Sequence, residues 1–506
     1  MRCSKKIFSL DLGKKVSGSI PTSVFKMSAA QCAPVLTKCF NSMIIDGTEF
    51  PYQLCLADII PSFKGRGSDV DRGSYRPISL LPIPSKVFER IIVRQLSAYF
   101  DPFLSKFLCG FRKGYSCQYA LLSMLHRWQK SLSLSGKVGA VLMDLSKAFD
   151  CMSHDLLIAK LAAYGVGYNT LRLLHSYLTN RKHRVRVGSI FSEWLEMLIG
   201  VPQGSVLGPI LFNIFINDLL FVISDCMICN FADDNTLYSC AESIDDIFAR
   251  LKKDLTSVVY WFENNGMVAN SDKFQMLVLG CDYSDLKLYF GPVMITPSDV
   301  VKLLGIILDS KLTFYPHVKE MCRKASSKTK VLYRIRRYLN ESTLKILFNT
   351  FILPCFNYCP LVWMFCGKQA HNLVEKTYRR ALCASGLLQS PHTEGTRAPT
   401  VHSRNLLLLL LEVFKSVHRL NPPLMWDIFE TKSLRYGLRQ GHTLKVPRSL
   451  NSVGLNSFEM QGSLAWNGLP SEIKKVTSFS EFRSAISASE IYCRCKLCVA
   501  NVEVRR

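Results

Sequence analysis

Two adjacent aspartates interrupt an apolar stretch at Cys229-Asn230-Phe231-Ala232-Asp233-Asp234-Asn235-Thr236-Leu237-Tyr238, and no other feature limits the fold so tightly. The apolar run before the acids and the β-branched and aromatic run after them predict two short strands joined by a tight turn. Asp233 and Asp234 then sit at the turn of a β-hairpin. Acid pairs at turns are often plain solvated residues, so the pair alone decides no chemistry. A third aspartate adds weight, because Val141-Leu142-Met143-Asp144-Leu145 predicts a buried strand ending at Asp144. Three hard oxygen donors at strand ends can hold two divalent cations.

What such a site acts on is narrowed by charge. Across 506 residues Lys and Arg outnumber Asp and Glu by 24, and a field of that sign favours polyanions such as nucleic acid or an acidic membrane surface. At 48% apolar residues the chain is too hydrophobic for a disordered basic tail. Its 19 cysteines are an odd number without framework spacing, as expected of reduced thiols in nucleus or cytoplasm. No secretory signal and no membrane span is expected: Leu347–Gly367 carries Pro354, Asn357 and Pro360, and the leucine run Leu406–Leu411 is short. Both read as core helices.

In chain order, residues 1 to 45 suggest a short helical lead-in. Ala57–Lys64 reads as a strand before a Gly-rich loop flanked by Lys64 and Arg76, and basic residues so placed can grip a triphosphate. Ser85–Phe100 has helical periodicity. Gly110–Ser116, with Arg112, mixes aromatic and basic residues, and a helix follows from about Gln118 to Leu132. After Asp144 the chain turns through Phe149 into a helix from Leu156 to Tyr164. Arg181-Lys182-His183-Arg184-Val185-Arg186 reads as a basic strand. Gly200-Val201-Pro202-Gln203-Gly204-Ser205-Val206-Leu207-Gly208-Pro209 then opens the apolar helix Ile210–Leu220, with small residues that let backbone N–H groups approach an anion or base pair. Val301–Asp309 reads as a hairpin containing Gly305. From Phe314 a helix carries Arg323, Ser327, Lys330, Arg334 and Arg337 on one basic stripe. Gln389–Thr400 reads as a linker, and Cys493, Cys495 and Cys498 offer three soft metal ligands where structural zinc wants four.

Taken together, Tyr75-Arg76-Pro77-Ile78-Ser79, Asp144-Leu145-Ser146-Lys147-Ala148-Phe149-Asp150, Gly200-Val201-Pro202-Gln203-Gly204-Ser205 and Phe231-Ala232-Asp233-Asp234, in this order, resemble the reverse transcriptase of a LINE-like (non-LTR), jockey-like retrotransposon. The resemblance implies an α+β right-hand polymerase with a small antiparallel palm sheet. It places the reverse transcriptase domain at 46–310, a helical thumb at 311–388 and a region of unknown role at 389–506. It also implies an RNA template, a DNA primer and dNTPs as partners, and two Mg²⁺ ions, with Mn²⁺ as a substitute. Asp144, Asp233 and Asp234 match the family's metal-binding carboxylates, and Lys273, after Trp261, Asn265 and Asn270, matches a proton donor to pyrophosphate. Phe149 matches the gate against a 2′-hydroxyl. Gln203 and Gly204 fall where the nascent base pair packs, Lys64 and Arg76 where the triphosphate is held, and Gly305 in the primer grip. Arg112, Arg181, Lys182, Arg323, Lys330, Arg334 and Arg337 are the expected nucleic-acid contacts.

Two departures stand out. Leu54-Cys55 occupies the position where related elements tend to carry Trp-Lys, and residues 1 to 45 are too few for the endonuclease expected before such a polymerase. A catalytically silent remnant that only binds nucleic acid is therefore the alternative. Within the same class, group II intron, retron-type and RNA-copying polymerases are rivals that Phe149 and the LINE-like spelling of the motifs disfavour.

Overall fold

The computed structural model describes residues 21–65, 67–146, 148–283, 285–387, 400–431 and 443–489. These divide into two compact units, each discontinuous in sequence. One comprises Met1–Arg112, Met143–Ser224 and Asp254–Lys273, the other Lys113–Leu142, Asp225–Lys253 and Phe274–Arg506. Ten strands build the two larger sheets: β1 (Leu56–Phe63), β2 (Tyr75–Leu80), β3 (Lys137–Ser146), β4 (Arg181–Val187), β5 (Ile190–Phe191), β6 (Leu195–Met197), β7 (Met227–Phe231), β8 (Asp234–Ala241), β9 (Val268–Ala269) and β10 (Gln275–Leu279). With the many helices this is an α+β fold.

In the first unit the sheet order is β2-β1-β4-β5, with β6 also on β4. β1 is antiparallel to β2 from Asp58 to Phe63, whereas Leu56–Ile59 pair, in parallel, with β4. Pro61 thus lies in the half of β1 that needs no second row of N–H donors, which is how a central strand tolerates it. The expected helix on Ser85–Phe100 spans Ile83–Phe100 and buries Ser85, Glu89, Ile92 and Leu96 on one face. The described part of the lead-in holds the helices Thr22–Met27 and Ala29–Ile45.

The second unit holds the order β10-β3-β8-β7. Val138, Ala140, Val141 and Leu142 are all buried, because a strand covered on both faces needs an unbroken apolar run. The helix Cys117–Ser133 brings Trp128 edge-on to Tyr238 of β8, centroids 5.8 Å apart. Tyr119 on the same helix donates to Glu412 at 2.8 Å, and Asn451 donates to the Leu132 carbonyl at 2.7 Å. The described segments around Glu412 and Asn451 are therefore packed into this unit. The expected linker (apart from Thr400) and Cys493, Cys495 and Cys498 lie outside the described residues.

Two hairpins follow, β11 (Leu288–Phe290) with β12 (Val293–Ile295) and β13 (Val300–Leu303) with β14 (Ile306–Asp309). The Asp309 carboxylate accepts from the Thr313 and Phe314 amides at 3.0 and 2.8 Å and so fixes the start of the helix Tyr315–Ile335. The stretch Leu347–Gly367 is helical as expected, but in two parts: the run Glu341–Leu347, Phe348–Ile352 and Leu353–Asn357 continues without a gap, widened to a π turn over Phe348–Ile352, and a short helix Pro360–Trp363 follows the break at Tyr358 and Cys359. Pro354 and Pro360 remove N–H donors, and Cys359 takes a left-handed φ of 45°. No helix among the described residues is long and apolar enough to cross a membrane.

His317, at the start of Tyr315–Ile335, is 7% exposed, and its Nδ1 accepts from the Ile307 amide at 3.4 Å. Burial, aided by the Lys324 charge, pushes its pKa down to about 4 from the usual 6.5. The folded chain thus resists protonation that the unfolded chain accepts. Stability is full above pH 6.5 and falls as pH drops toward 4, by a limit of about 3 kcal/mol. The urea midpoint of this unit is expected to decline over that window, and His317→Phe to flatten the decline; an equally steep decline in the variant would reject the assignment.

Candidate active site

The first unit holds Asp144, half-buried on β3. Its carboxylate lies 3.3 Å from the Lys273 ammonium. The backbone explains the meeting: β9 pairs with Leu145 and Ser146, the Asn270 amide donates to the Asp144 carbonyl at 3.2 Å, and the short turn Ser271–Lys273 folds Lys273 back. Both side chains are substantially exposed, 60% and 42%, so the pair adds little stability and separates readily.

Phe149 stacks on Phe212 with centroids 4.9 Å apart and meets Phe111 edge-on at 5.8 Å. Its backbone carbonyl accepts from the Val201 amide at 2.9 Å, and Met152 accepts from Gly200 at 2.7 Å. At the far end of the loop the Ser79 amide donates to the Gln203 carbonyl at 2.7 Å. Gly204 has φ 120°, and a Cβ there would sit 2.8 Å from the Ser79 carbonyl, so only glycine allows this approach. The loop is thereby pinned to β2 on one side and to the Phe149 turn on the other.

Glu89, fully buried, holds the loop's exit, a role the sequence reading missed. Its carboxylate accepts from the Val206 and Leu207 amides and from the Ser85 hydroxyl. Burial pushes its pKa up, opposed by the Arg181 charge and the two amides. A glutamate on the apolar face of a helix was the available signal.

Lys64 and Arg76 come together as expected at one end of the β1–β2 hairpin, where Phe63 pairs with Tyr75 and Ser62 with Arg76. Lys64 Nζ donates to the Gly73 carbonyl at 2.7 Å. The expected contacts Arg112 and Arg181 are not presented outward on loop and strand. The Arg112 guanidinium donates to the Ser105 carbonyl at 2.6 Å and to the Asp101 carboxylate at 2.7 Å, bracing its own loop. Arg181 is 2% exposed and lies 4.3 Å from the Tyr177 ring centroid, because the first residue of β4 points into the core of its unit. Lys182 sits 3.5 Å from Glu196 on β6.

In the second unit β7 and β8 form the expected hairpin, with Phe231 opposite Asp234 and the turn at Ala232-Asp233. Ala232 adopts φ 58°, the left-handed conformation that so short a turn demands. Asp233 and Asp234 are exposed, while Asn230 and Asn235 are buried and hydrogen-bonded to each other beneath them. Asn235 also donates to the Asp233 carbonyl at 3.0 Å, which stiffens the turn. Among the described residues no group of three or more His, Cys, Asp or Glu side chains is arranged to hold a metal ion. Within the second unit, exposed carboxylate oxygens on a rigid turn are the donor type a hard cation takes; within the first, the Asp144 carboxylate is of the same type and is held only by an exposed ammonium.

Gly305 turns β13 into β14 with φ 82°, and a Cβ there would meet the Tyr358 ring at 3.1 Å; Tyr358 in turn donates to the Leu304 carbonyl at 2.6 Å. On Tyr315–Ile335, Arg323, Ser327, Lys330 and Arg334 are exposed opposite a buried face of Val318, Met321, Cys322, Ala325 and Leu332. Arg337 extends the stripe beyond the helix and lies 4.7 Å from the Tyr338 ring, as Arg336 lies 4.2 Å from that of Tyr333. Arg323 is paired with Glu320 at 2.6 Å, which offsets one charge of the stripe.

Residues 64–308 match the family model described as reverse transcriptase (RNA-dependent DNA polymerase). Three Drosophila melanogaster proteins are similar over much of the chain. The probable RNA-directed DNA polymerase from transposon BS is 29% identical over 83% of this chain and 46% of its own length. The polymerase from mobile element jockey is 29% identical over 72% and 42%, and the probable polymerase from transposon X-element 27% over 68% and 39%. The chain thus spans less than half the length of each of these relatives.

Proposed function

We propose, on the match of residues 64–308 to the family model described as reverse transcriptase (RNA-dependent DNA polymerase), that this chain is an RNA-directed DNA polymerase of non-LTR retrotransposon type, adding dNTPs to a primer 3′-hydroxyl. The observation that carries the reading is the exposed Asp233-Asp234 turn on β8, a sheet neighbour of the strand that bears Asp144, inside the matched span. In this reading the first sheet is the fingers, the second the palm, and Tyr315–Ile335 the thumb helix.

Asp144, Asp233 and Asp234 would hold two divalent cations, Mg²⁺ with Mn²⁺ as a substitute. When bound, these supply the charge that acidifies the attacking hydroxyl and steadies the leaving pyrophosphate. Lys273, whose exposed ion pair with Asp144 is weak, would hold the pyrophosphate oxygens once that carboxylate is engaged elsewhere, and its ammonium could give them a proton. Lys64 and Arg76 hold the triphosphate from the fingers hairpin. Gln203 and Gly204 form the surface beneath the nascent base pair. Phe149, braced by Phe212, fills the space a 2′-hydroxyl would need. Lys182, Arg323, Lys330, Arg334 and Arg337 track duplex phosphates, so binding weakens steeply with salt, and Gly305 lets the β13–β14 backbone approach the primer.

The test is extension of a DNA primer on an RNA template with Mg²⁺ and dNTPs. Template-complementary DNA is expected, and Phe149→Val is expected to extend with ribonucleotides as well. A protein that binds primer and template yet makes no product would be the silent remnant; unchanged sugar choice in Phe149→Val would remove the gate.

A further inference from the structure

We infer that a cavity of about 340 Å³ in the first unit is a phosphate-binding pocket with the buried guanidinium of Arg181 as its anchor. Arg181, His183 and Gln203 all line it. Arg181 Nε donates to the Tyr177 carbonyl at 2.7 Å, but Nη1 and Nη2 are buried without a hydrogen-bond partner in the chain. Gln203 Oε1 and His183 Nδ1 are buried and unpartnered as well. A guanidinium withdrawn from water with both terminal nitrogens unsatisfied is costly, and the cost is removed by a ligand that brings oxygens.

Charges around the cavity say which ligand. Glu196 is paired with Lys182, Asp150 acts on His183, and the Glu89 carboxylate is taken up by the Val206 and Leu207 amides. The Glu89 charge acts on Arg181, yet no carboxylate takes up its two terminal nitrogens, and their parallel N–H groups suit two oxygens of one phosphate. Pro77, Val201 and Pro202 give the same cavity an apolar wall, which suits the sugar or base attached to that phosphate. Two sources share this chemistry, the backbone of an RNA strand and the phosphates of a nucleotide. Only that choice of source rests on the polymerase reading; the anchor itself does not.

The full chain, kept in EDTA so that carboxylate-bound cations play no part, is titrated with single-stranded RNA lacking terminal phosphates and, separately, with dTTP. Arg181→Lys keeps the buried charge near Glu89 but loses the fork. It is expected to weaken one of the two probes about tenfold or more, with His183→Gln weakening the same probe about threefold. Loss for RNA alone assigns the pocket to the strand backbone, and loss for dTTP alone assigns it to the nucleotide. Binding of both probes to both variants within about twofold of wild type means the pocket holds only water and overturns the inference. Should Arg181→Lys not fold, His183→Gln decides by the same measure. RNA-templated synthesis by wild type together with unchanged binding in the variants would fail the pocket and leave the polymerase reading standing.

Discussion

Asp144→Asn and Asp233→Asn are each expected to slow dNTP incorporation by about a thousandfold or more, since cation-based stabilisation of transferring charge is worth several kcal/mol and every 1.4 kcal/mol is tenfold. The two losses should not add. If both carboxylates serve one cation site, removing the first already empties it, and the double variant is then about as slow as either single one. Primer-extension rates for the three proteins, normalised to bound primer–template, check this. Folding is not the confounder, because Asp233 is exposed and Asp144 makes only an exposed ion pair. Multiplicative losses would mean that the two acids work separately.

Glu89→Ala should bring the largest loss of stability, roughly 3–5 kcal/mol. The carboxylate serves the Val206 and Leu207 amides and the Ser85 hydroxyl, and those amides stand at the entrance of the helix Gly208–Ile216, where a negative charge is also favoured by the helix dipole. Removing it orphans buried donors and withdraws the charge that offsets Arg181. Glu89→Gln keeps one acceptor oxygen and should cost about half as much. Urea unfolding of the three proteins decides the matter. A Glu89→Ala midpoint equal to wild type would mean that the loop is held by its other contacts, from Ser79, Phe149 and Met152.

The acid hairpin, β3, the fingers hairpin, the helix Ile83–Phe100 and the basic stripe were legible in the sequence because each announces itself by local pattern. Apolar runs bounded by turn residues give the strands, three- and four-residue spacing gives the helices, and Gly204 marks a turn that tolerates no side chain. What local pattern cannot carry is the choice between inside and outside for a charged residue. In Arg181–Arg186 the alternation was visible, yet Arg181 lies in the core because Tyr177, Phe50 and Glu89, all distant or out of register in sequence, surround it. Glu89 was passed over for the same reason. The stretch Leu347–Gly367 is helical as its hydrophobicity suggests, but the break at Tyr358 and Cys359, with Pro360 opening the next helix, was not located. Two units assembled from interleaved segments follow from tertiary contacts that no reading in sequence order supplies.

Central to the account is that Asp144 serves the same cations as Asp233 and Asp234. Manganese titration of the full chain with primer, template and a non-hydrolysable dNTP, followed by electron paramagnetic resonance of free Mn²⁺, measures this directly. The account predicts about two tightly held ions per chain, with tight binding lost in Asp144→Asn and in Asp233→Asn alike. Unchanged manganese binding in Asp144→Asn, beside a loss in Asp233→Asn, would contradict it.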